Sequence, residues 1–308
     1  MASRTRTVPP TRAAAKLDGL IAAPFTPFDK RGDLNLPVIR KQVDHLVKSG
    51  VRGAYVSGTT GEGISCTVAE RKAVMEEWIR AGKGRLRLIV HVGALSIRDT
   101  QDLAAHAQKS GADAISIVPP NYFKPASIDG LITHIDAVVS AAPRLPFYYY
   151  HTTQSGVDLP MVTFLEVAEG RLPSLAGIKF NDPDLYVYQN CLRACGGRFD
   201  IVWGVDEFFA GAIALGARAF IGSTYNYAAS LYPPIRQAIE AGRLADAQSG
   251  MAQVCRIVDL LMRYGGIACG KAMMAIHGID VGDPRLPLKA LTLGEKSEVV
   301  TRLRSILA

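Results

Sequence analysis

Eight short apolar runs, each followed by a longer stretch of helical spacing, constrain this chain more than any other feature. The runs are GLIAAPF (19–25), GAYVSG (53–58), RLIVHVG (87–93), AISIVP (114–119), PFYYYH (146–151), AGIKF (176–180), FDIVWG (199–204) and AFIGST (219–224). Near-continuous apolar runs of this length suit parallel strands whose outer face is covered by helices. The stretches between them have the complementary pattern. LPVIRKQVDHLVKSG places Val38, Val43, Leu46 and Val47 along one stripe and stops at Gly50, a helix with a C-terminal glycine. TVAERKAVMEEWIRAG opens with Thr67 and carries Glu70 three residues later, the spacing of a capping box. SIDGLITHIDAVVSA and DLYVYQNCLRACG follow the same rule. In the second of these, Cys191 and Cys195 are expected one turn apart on a helix, as packing residues.

About eight such units predict an α/β fold, a (β/α)8 TIM barrel, over residues 18–230. The rival is a doubly wound open sheet, but no GxGxxG follows the first strand. Residues 231–308 read as helix only, with LADAQSGMAQVCRIVDLLMRYGG and EKSEVVTRLRSILA the clearest segments. They predict a C-terminal helical extension. Residues 1–17 hold Arg4, Arg6, Arg12 and Lys16 and no acid. That segment lacks the apolar core of a secretory signal and reads as a disordered basic tail, with a faint likeness to a transit peptide.

The net charge of +7 owes part of its size to this tail; elsewhere acids and bases mix, as in AERKAVMEEWIR. No basic stripe interleaved with aromatics points to nucleic acid. No run of about 18 apolar residues predicts a membrane span. The five cysteines are odd in number and lack CxxC spacing, which argues against a disulfide framework or a zinc site and for a reducing, cytoplasmic setting.

A barrel carries its chemistry at the C-terminal ends of its strands, and three runs place unusual residues there. Lys179 lies late in an apolar run. A cation there is expensive unless compensated, by snorkelling to solvent or by pairing with Asp182. The alternative is functional: an amine in a partly desolvated site is a candidate nucleophile that forms a Schiff base with a ketone. Tyr148, Tyr149 and Tyr150 end the preceding run. Strand alternation makes two of them packing residues and leaves Tyr150, nearest the end, as a candidate proton shuttle. His151 reads as a structural group. SGTTGEG, residues 57–63, lacks the lysine of a P-loop, but Thr59, Thr60 and the exposed N–H groups around them suit a carboxylate or phosphate. An amine, a phenol and an anion cradle together suit a Schiff-base enzyme acting on a 2-oxo acid. No cluster of metal-ligand spacing is evident.

GTTGEG, the tyrosine-ended fifth strand, GIKF and the GST after the eighth strand stand in the order and at the spacing of a known family. From about Leu17 to Leu288 the chain resembles the dihydrodipicolinate synthase and N-acetylneuraminate lyase superfamily of class I pyruvate aldolases. Within it, VSGTTGEGISCTVAERKAVMEEW, HVGALS, PFYYYH, GIKFNDPDL, GVDE, GSTYNY and DPRLPL are most similar to N-acetylneuraminate lyases. The resemblance implies Lys179 as the Schiff-base lysine, Tyr150 as proton relay, and Thr59 and Thr60 on the pyruvate carboxylate. It implies Gly204, Asp206, Glu207 and Ser223 near the sugar hydroxyls, and Tyr122, in PPNYFKP, reaching a neighbouring subunit's site. Such enzymes are usually homotetramers without a cofactor.

Two stretches depart from that pattern. YHTTQSG lacks the proline usual after the tyrosine and is one residue shorter. Asn181, two residues after the lysine, replaces Ser or Thr. Both lie near the distal end of the substrate and bear on the aldehyde partner rather than the Schiff base. Gln154 stands where dihydrodipicolinate synthases carry an arginine. The expected activity is therefore cleavage of N-acetylneuraminate to pyruvate and N-acetylmannosamine. The alternatives are another pyruvate-dependent 2-oxo acid aldolase or dehydratase, and a barrel that binds a 2-oxo acid without turnover.

Overall fold

Each of the eight apolar runs forms a strand, and the strands close on themselves. The computed structural model describes residues 16–308. Strands β1 (Gly19–Ala22), β2 (Gly53–Val56), β3 (Arg87–His91), β4 (Ala114–Ile117), β5 (Phe147–Thr152), β6 (Leu175–Asn181), β7 (Asp200–Trp203) and β8 (Ala219–Gly222) form a closed parallel barrel in chain order. β8 returns to pair with β1, Gly19 opposite Ala219 and Ala22 opposite Gly222. The (β/α)8 TIM barrel expected from the pattern is the observed fold.

Helices α1 (Pro37–Lys48), α2 (Val68–Gly82), α3 (Ile97–Ser110), α4 (Ile128–Val139), α5 (Met161–Glu169), α6 (Leu185–Arg193), α7 (Phe209–Ala214) and α8 (Tyr225–Ala228) follow the strands in turn. α1 ends where Gly50 takes a left-handed φ of 77°. The capping box of α2 is formed: Thr67 N–H donates to Glu70 at 2.8 Å, and Glu70 N–H donates to Thr67 Oγ1 at 3.2 Å. One helical expectation fails. α6 stops at Arg193, and Cys195 sits beyond it at φ 51°, followed by Gly196 and Gly197, also left-handed. Backbone of that hand cannot continue a right-handed helix, so Cys191 is buried on α6 and Cys195 is not on it.

The alternation of each strand sorts its side chains between two cores. Tyr149, Ile178, Phe180 and Trp203 face outward and pack under the helices. Ile21, Tyr55, Ile89, Tyr148, Tyr150, Val202 and Ile221 face inward. The inner layer is closed at its N-terminal end. There Asp200 accepts the Leu17 N–H at 2.8 Å and the Tyr148 hydroxyl at 3.0 Å. Burial raises the Asp200 carboxyl above its ordinary value, and these two bonds counter part of the rise. Lys16 and Leu17 are thus tied to the barrel floor; the rest of the basic segment expected at 1–17 lies outside the described residues.

After α8 come α9 (Tyr232–Glu240), α10 (Leu244–Tyr264), α11 (Gly266–Met273) and α12 (Leu293–Leu307). Tyr232, Ile235 and Ala238 pack into the barrel's own core. Ile257, Leu260, Met273, Val299 and Leu303 form a second core against Phe25 and Tyr227. Among the described residues, no helix is long and apolar enough to cross a membrane.

Candidate active site

Lys179 occupies the inward face of β6, 5% exposed, with Tyr150 opposite it on β5 and Val202 opposite it on β7. Its Nζ lies 3.9 Å from the centroid of the Tyr150 ring and 4.4 Å from that of Tyr55. It has no carboxylate partner among the described residues. Asp182, the pairing alternative, faces His151 instead, at 3.5 Å. The His151 ring lies 5.1 Å from that of Phe180, tilted by 44°, on the outer face of the strand. The three consecutive tyrosines divide as strand alternation requires. Tyr148 bonds the floor, Tyr149 packs on Phe164 outside, and Tyr150 meets the lysine.

Three residues of this inner layer escaped the sequence reading. Tyr55, on β2, bonds Ser116 at 2.8 Å and meets Tyr150 edge to face, 5.8 Å between centroids. Burial pushes its phenol well above the ordinary value, so it stays neutral. His91, at the end of β3, also meets the Tyr150 ring edge to face. Burial holds its imidazole well below the ordinary value, and the charges of Arg71 and Lys179 add to the effect. Its Nε2 accepts the Val118 N–H at 3.0 Å, which leaves the single proton of the neutral ring on Nδ1. Arg71 of α2 is itself buried and donates to the His91 and Gly93 carbonyls at 2.6 and 2.7 Å. Tyr55, Ser116 and His91 sit in runs that read as plain apolar strand, so the one usable signal was the inward parity of Tyr55, Ile89 and His91.

The other candidate residues ring the same mouth of the barrel. Thr59 is exposed and Thr60 half-buried in the turn after β2. The N–H groups of Thr59, Thr60 and Gly61 have no acceptor among the described residues, whereas Glu62 N–H closes the turn on Thr59 O at 3.0 Å. Free N–H groups beside two hydroxyls are donors of the kind that can hold an anion. Asn181 ends β6 and donates to Thr152 Oγ1 at 3.3 Å across the β5–β6 pair. A Cβ on Gly204 would stand 2.9 Å from that of Asn181, so the glycine lets the β7 loop close on it.

Asp206 is buried after β7 and accepts both the N–H and the hydroxyl of Thr224, at 3.0 and 2.7 Å. Burial raises its carboxyl, and the Thr224 bonds oppose the rise. Gly222, the last residue of β8, makes this possible, because a Cβ there would lie 1.7 Å from Asp206 Oδ1. Glu207 is half-buried; burial raises its carboxyl too, and the Asp206 charge adds to that. Ser223 accepts the Asn226 N–H and side-chain amide through its carbonyl. Tyr122, in the loop after β4, is 79% exposed and packs edge to face on Phe123. It touches none of the other candidates within this chain. No group of three metal-ligating side chains occurs among the described residues.

Residues 16–306 match the model of the dihydrodipicolinate synthetase family. The N-acetylneuraminate lyase of Rattus norvegicus is 40% identical over 297 residues, covering 94% of this chain and 93% of that protein. The N-acetylneuraminate lyase of Xenopus tropicalis is 44% identical over 281 residues, 90% and 92% of the two chains. The solved structure of Proteus mirabilis N-acetylneuraminate lyase superposes with a TM-score of 0.93 at 47% identity, covering 94% of this chain and 99% of that one. In sequence and in shape alike, the chain belongs to the dihydrodipicolinate synthetase family.

Proposed function

We propose that the chain is a class I lyase that cleaves N-acetylneuraminate to pyruvate and N-acetylmannosamine. The observation that carries this reading is Lys179: a buried amine with no carboxylate partner among the described residues, against the face of Tyr150 at the mouth of a barrel. The amine adds to the C2 ketone of the substrate and water leaves, giving an iminium. As the C3–C4 bond breaks, its electrons pass to the iminium and form an enamine. Tyr150 relays the proton of the C4 hydroxyl, and the aldehyde departs. The enamine is protonated at C3 and hydrolysed to pyruvate, which frees the lysine. Thr59, Thr60 and the N–H groups beside them hold the carboxylate. Gly204, Asp206, Glu207, Ser223 and Asn181 face the sugar portion. Because the iminium is the electron sink, the scheme calls on no cofactor.

The relatives, N-acetylneuraminate lyases of rat, frog and Proteus mirabilis, support this choice of substrate. The exposed Tyr122 and Phe123, at 79% and 85%, support a homo-oligomer, read as a tetramer, in which Tyr122 enters a neighbour's site. The free cysteines and the absence of a membrane-spanning helix among the described residues support a cytoplasmic setting. A second reading keeps the Schiff base and changes the aldehyde. It is favoured by the Asn181–Thr152 bond, which joins the two stretches that depart from the lyase pattern.

Borohydride trapping tests the reading, with N-acetylneuraminate and with pyruvate in separate reactions, followed by intact mass and peptide mapping. The expected result is the same three-carbon adduct on Lys179 from both. An adduct from pyruvate alone would transfer the assignment to another aldehyde. No adduct from either would remove the Schiff base.

A further inference from the structure

The turn that bears Thr59 and Thr60 is bent into its shape by groups from the far end of the chain. Ser57 and Glu62, which bracket it, have φ values of 58° and 51°, a region that side-chain-bearing residues avoid. The turn is so tight that a Cβ on Gly63 would lie 2.0 Å from Ser57 O. A strained turn persists where its surroundings over-determine it, and here they do. The Glu62 side chain is buried, and its carboxylate meets Lys271 Nζ of α11 at 2.7 Å. Lys271 is buried as well and donates to the Thr26 and Asp283 carbonyls at 3.0 and 3.2 Å. Its Nζ lies 4.3 Å from the centroid of the Phe28 ring. The second carboxylate oxygen of Glu62 accepts the Arg285 N–H at 2.8 Å. The Thr26 hydroxyl donates to Gly61 O at 2.6 Å. The Gly61–Glu62 end of the turn is thereby fixed at once to α11, to the Arg285 backbone and to the loop after β1.

A buried ion pair is an inefficient way to stabilise a fold, since a well-packed apolar pair often does as well or better. What the charges supply here is direction: the Lys271 ammonium aims its donors at one carboxylate and two carbonyls, and so fixes where Glu62 stands. We propose that Lys271 and Glu62 are positioning residues for the carboxylate of the 2-oxo acid. They hold the N–H groups and hydroxyls of Thr59, Thr60 and Gly61 where that carboxylate docks, without touching it. The proposal rests on the Schiff-base reading. It adds that the C-terminal extension, rather than the barrel alone, sets recognition of the acid end of the substrate.

The test compares trapping of pyruvate with trapping of acetone, which has the ketone and lacks the carboxylate. Wild-type full-length protein, Lys271→Met and Glu62→Gln are each treated with borohydride, and adduct on Lys179 is followed against ketone concentration. Both variants are expected to need on the order of a hundredfold more pyruvate and unchanged acetone. An equal loss for both ketones, or no loss for either, overturns the proposal. Wild-type protein that forms no pyruvate adduct removes the Schiff-base reading and the proposal with it, an outcome distinct from the other two. If Lys271→Met does not fold, the double variant Glu62→Leu/Lys271→Met replaces the pair by apolar side chains. It is expected to fold and to lose the preference for pyruvate over acetone. A folded double variant that keeps the wild-type preference overturns the proposal.

Discussion

Lys179 and Tyr150 are register partners on adjacent parallel strands, and the lysine Nζ stands 3.9 Å from the centre of the tyrosine ring. Their relative position is set by the β5–β6 hydrogen-bond ladder, not by flexible loops. Lys179→Ala is expected to abolish turnover and trapping while leaving the thermal midpoint close to wild type, since it removes a buried amine that has no carboxylate partner among the described residues. Tyr150→Phe should separate the two steps. It keeps the ring against the lysine and deletes the hydroxyl, so trapping of pyruvate persists while kcat falls about 10²–10⁴-fold. Single-turnover cleavage measured beside trapping checks this; equal loss of both would remove the relay role.

The proposed function sets Asn181 and its partner Thr152 at the aldehyde end. Asn181→Thr and Thr152→Ala are each expected to shift the ratio of kcat/KM between N-acetylmannosamine and shorter aldehydes by roughly tenfold, with the pyruvate requirement unchanged. Condensation assays across an aldehyde panel give the ratio. A uniform fall for every aldehyde would mean that the pair supports the rim and does not select.

Gly222 admits Asp206 to the end of β8. Gly222→Ala is expected to destabilise the chain by roughly 1–3 kcal/mol, because the new methyl falls on the carboxylate. Asp206→Ser in the same chain should return part of that loss. Denaturant midpoints for the single and double variants decide it: additive losses would place the strain elsewhere.

Glu70 gives a pH dependence of known sign. The bonds from Arg285 hold its carboxyl at about 2, below an ordinary value of 4.5, with the Thr67 N–H adding to this. A depressed carboxyl stabilises the fold above its unfolded value, and that contribution is lost as pH falls. The loss is expected between about pH 4.5 and pH 2. The pair is partly exposed, so its worth is about 1 kcal/mol. Glu70→Gln should lower the urea midpoint at pH 6 and leave it unchanged at pH 2. Equal loss at both values would assign the effect to packing.

The legible part of this molecule is the part governed by local periodicity. Near-continuous apolar runs disclosed all eight strands; parity set Tyr149 apart from Tyr148 and Tyr150, and nearness to the strand end picked out Tyr150 as the one beside the lysine. Thr67 and Glu70 disclosed a capping box because both partners lie within one turn. What stayed hidden depends on closure of the barrel. Tyr55, Ser116 and His91 look like ordinary strand residues until three strands bring them to the same interior. The Arg285–Glu62 bond joins residues 223 apart in the sequence, and no local pattern records such a pairing. Cys195 was misplaced for a local reason: the paired glycines after it end the helix, and the apolar spacing before them outweighed that signal.

Among the described residues, the Asp200–Tyr148–Leu17 contacts close the N-terminal end of the barrel. On the proposed mechanism, a 2-oxo acid attached to Lys179 has Tyr148 and Asp200 below it, and the aldehyde half of the substrate lies above it, toward the C-terminal ends of the strands. The aldehyde must therefore leave first and the acid second. In steady state this makes pyruvate a competitive inhibitor of cleavage, since it meets the same empty site as the substrate, whereas added aldehyde inhibits in a mixed pattern by recombining with the lysine-bound enamine.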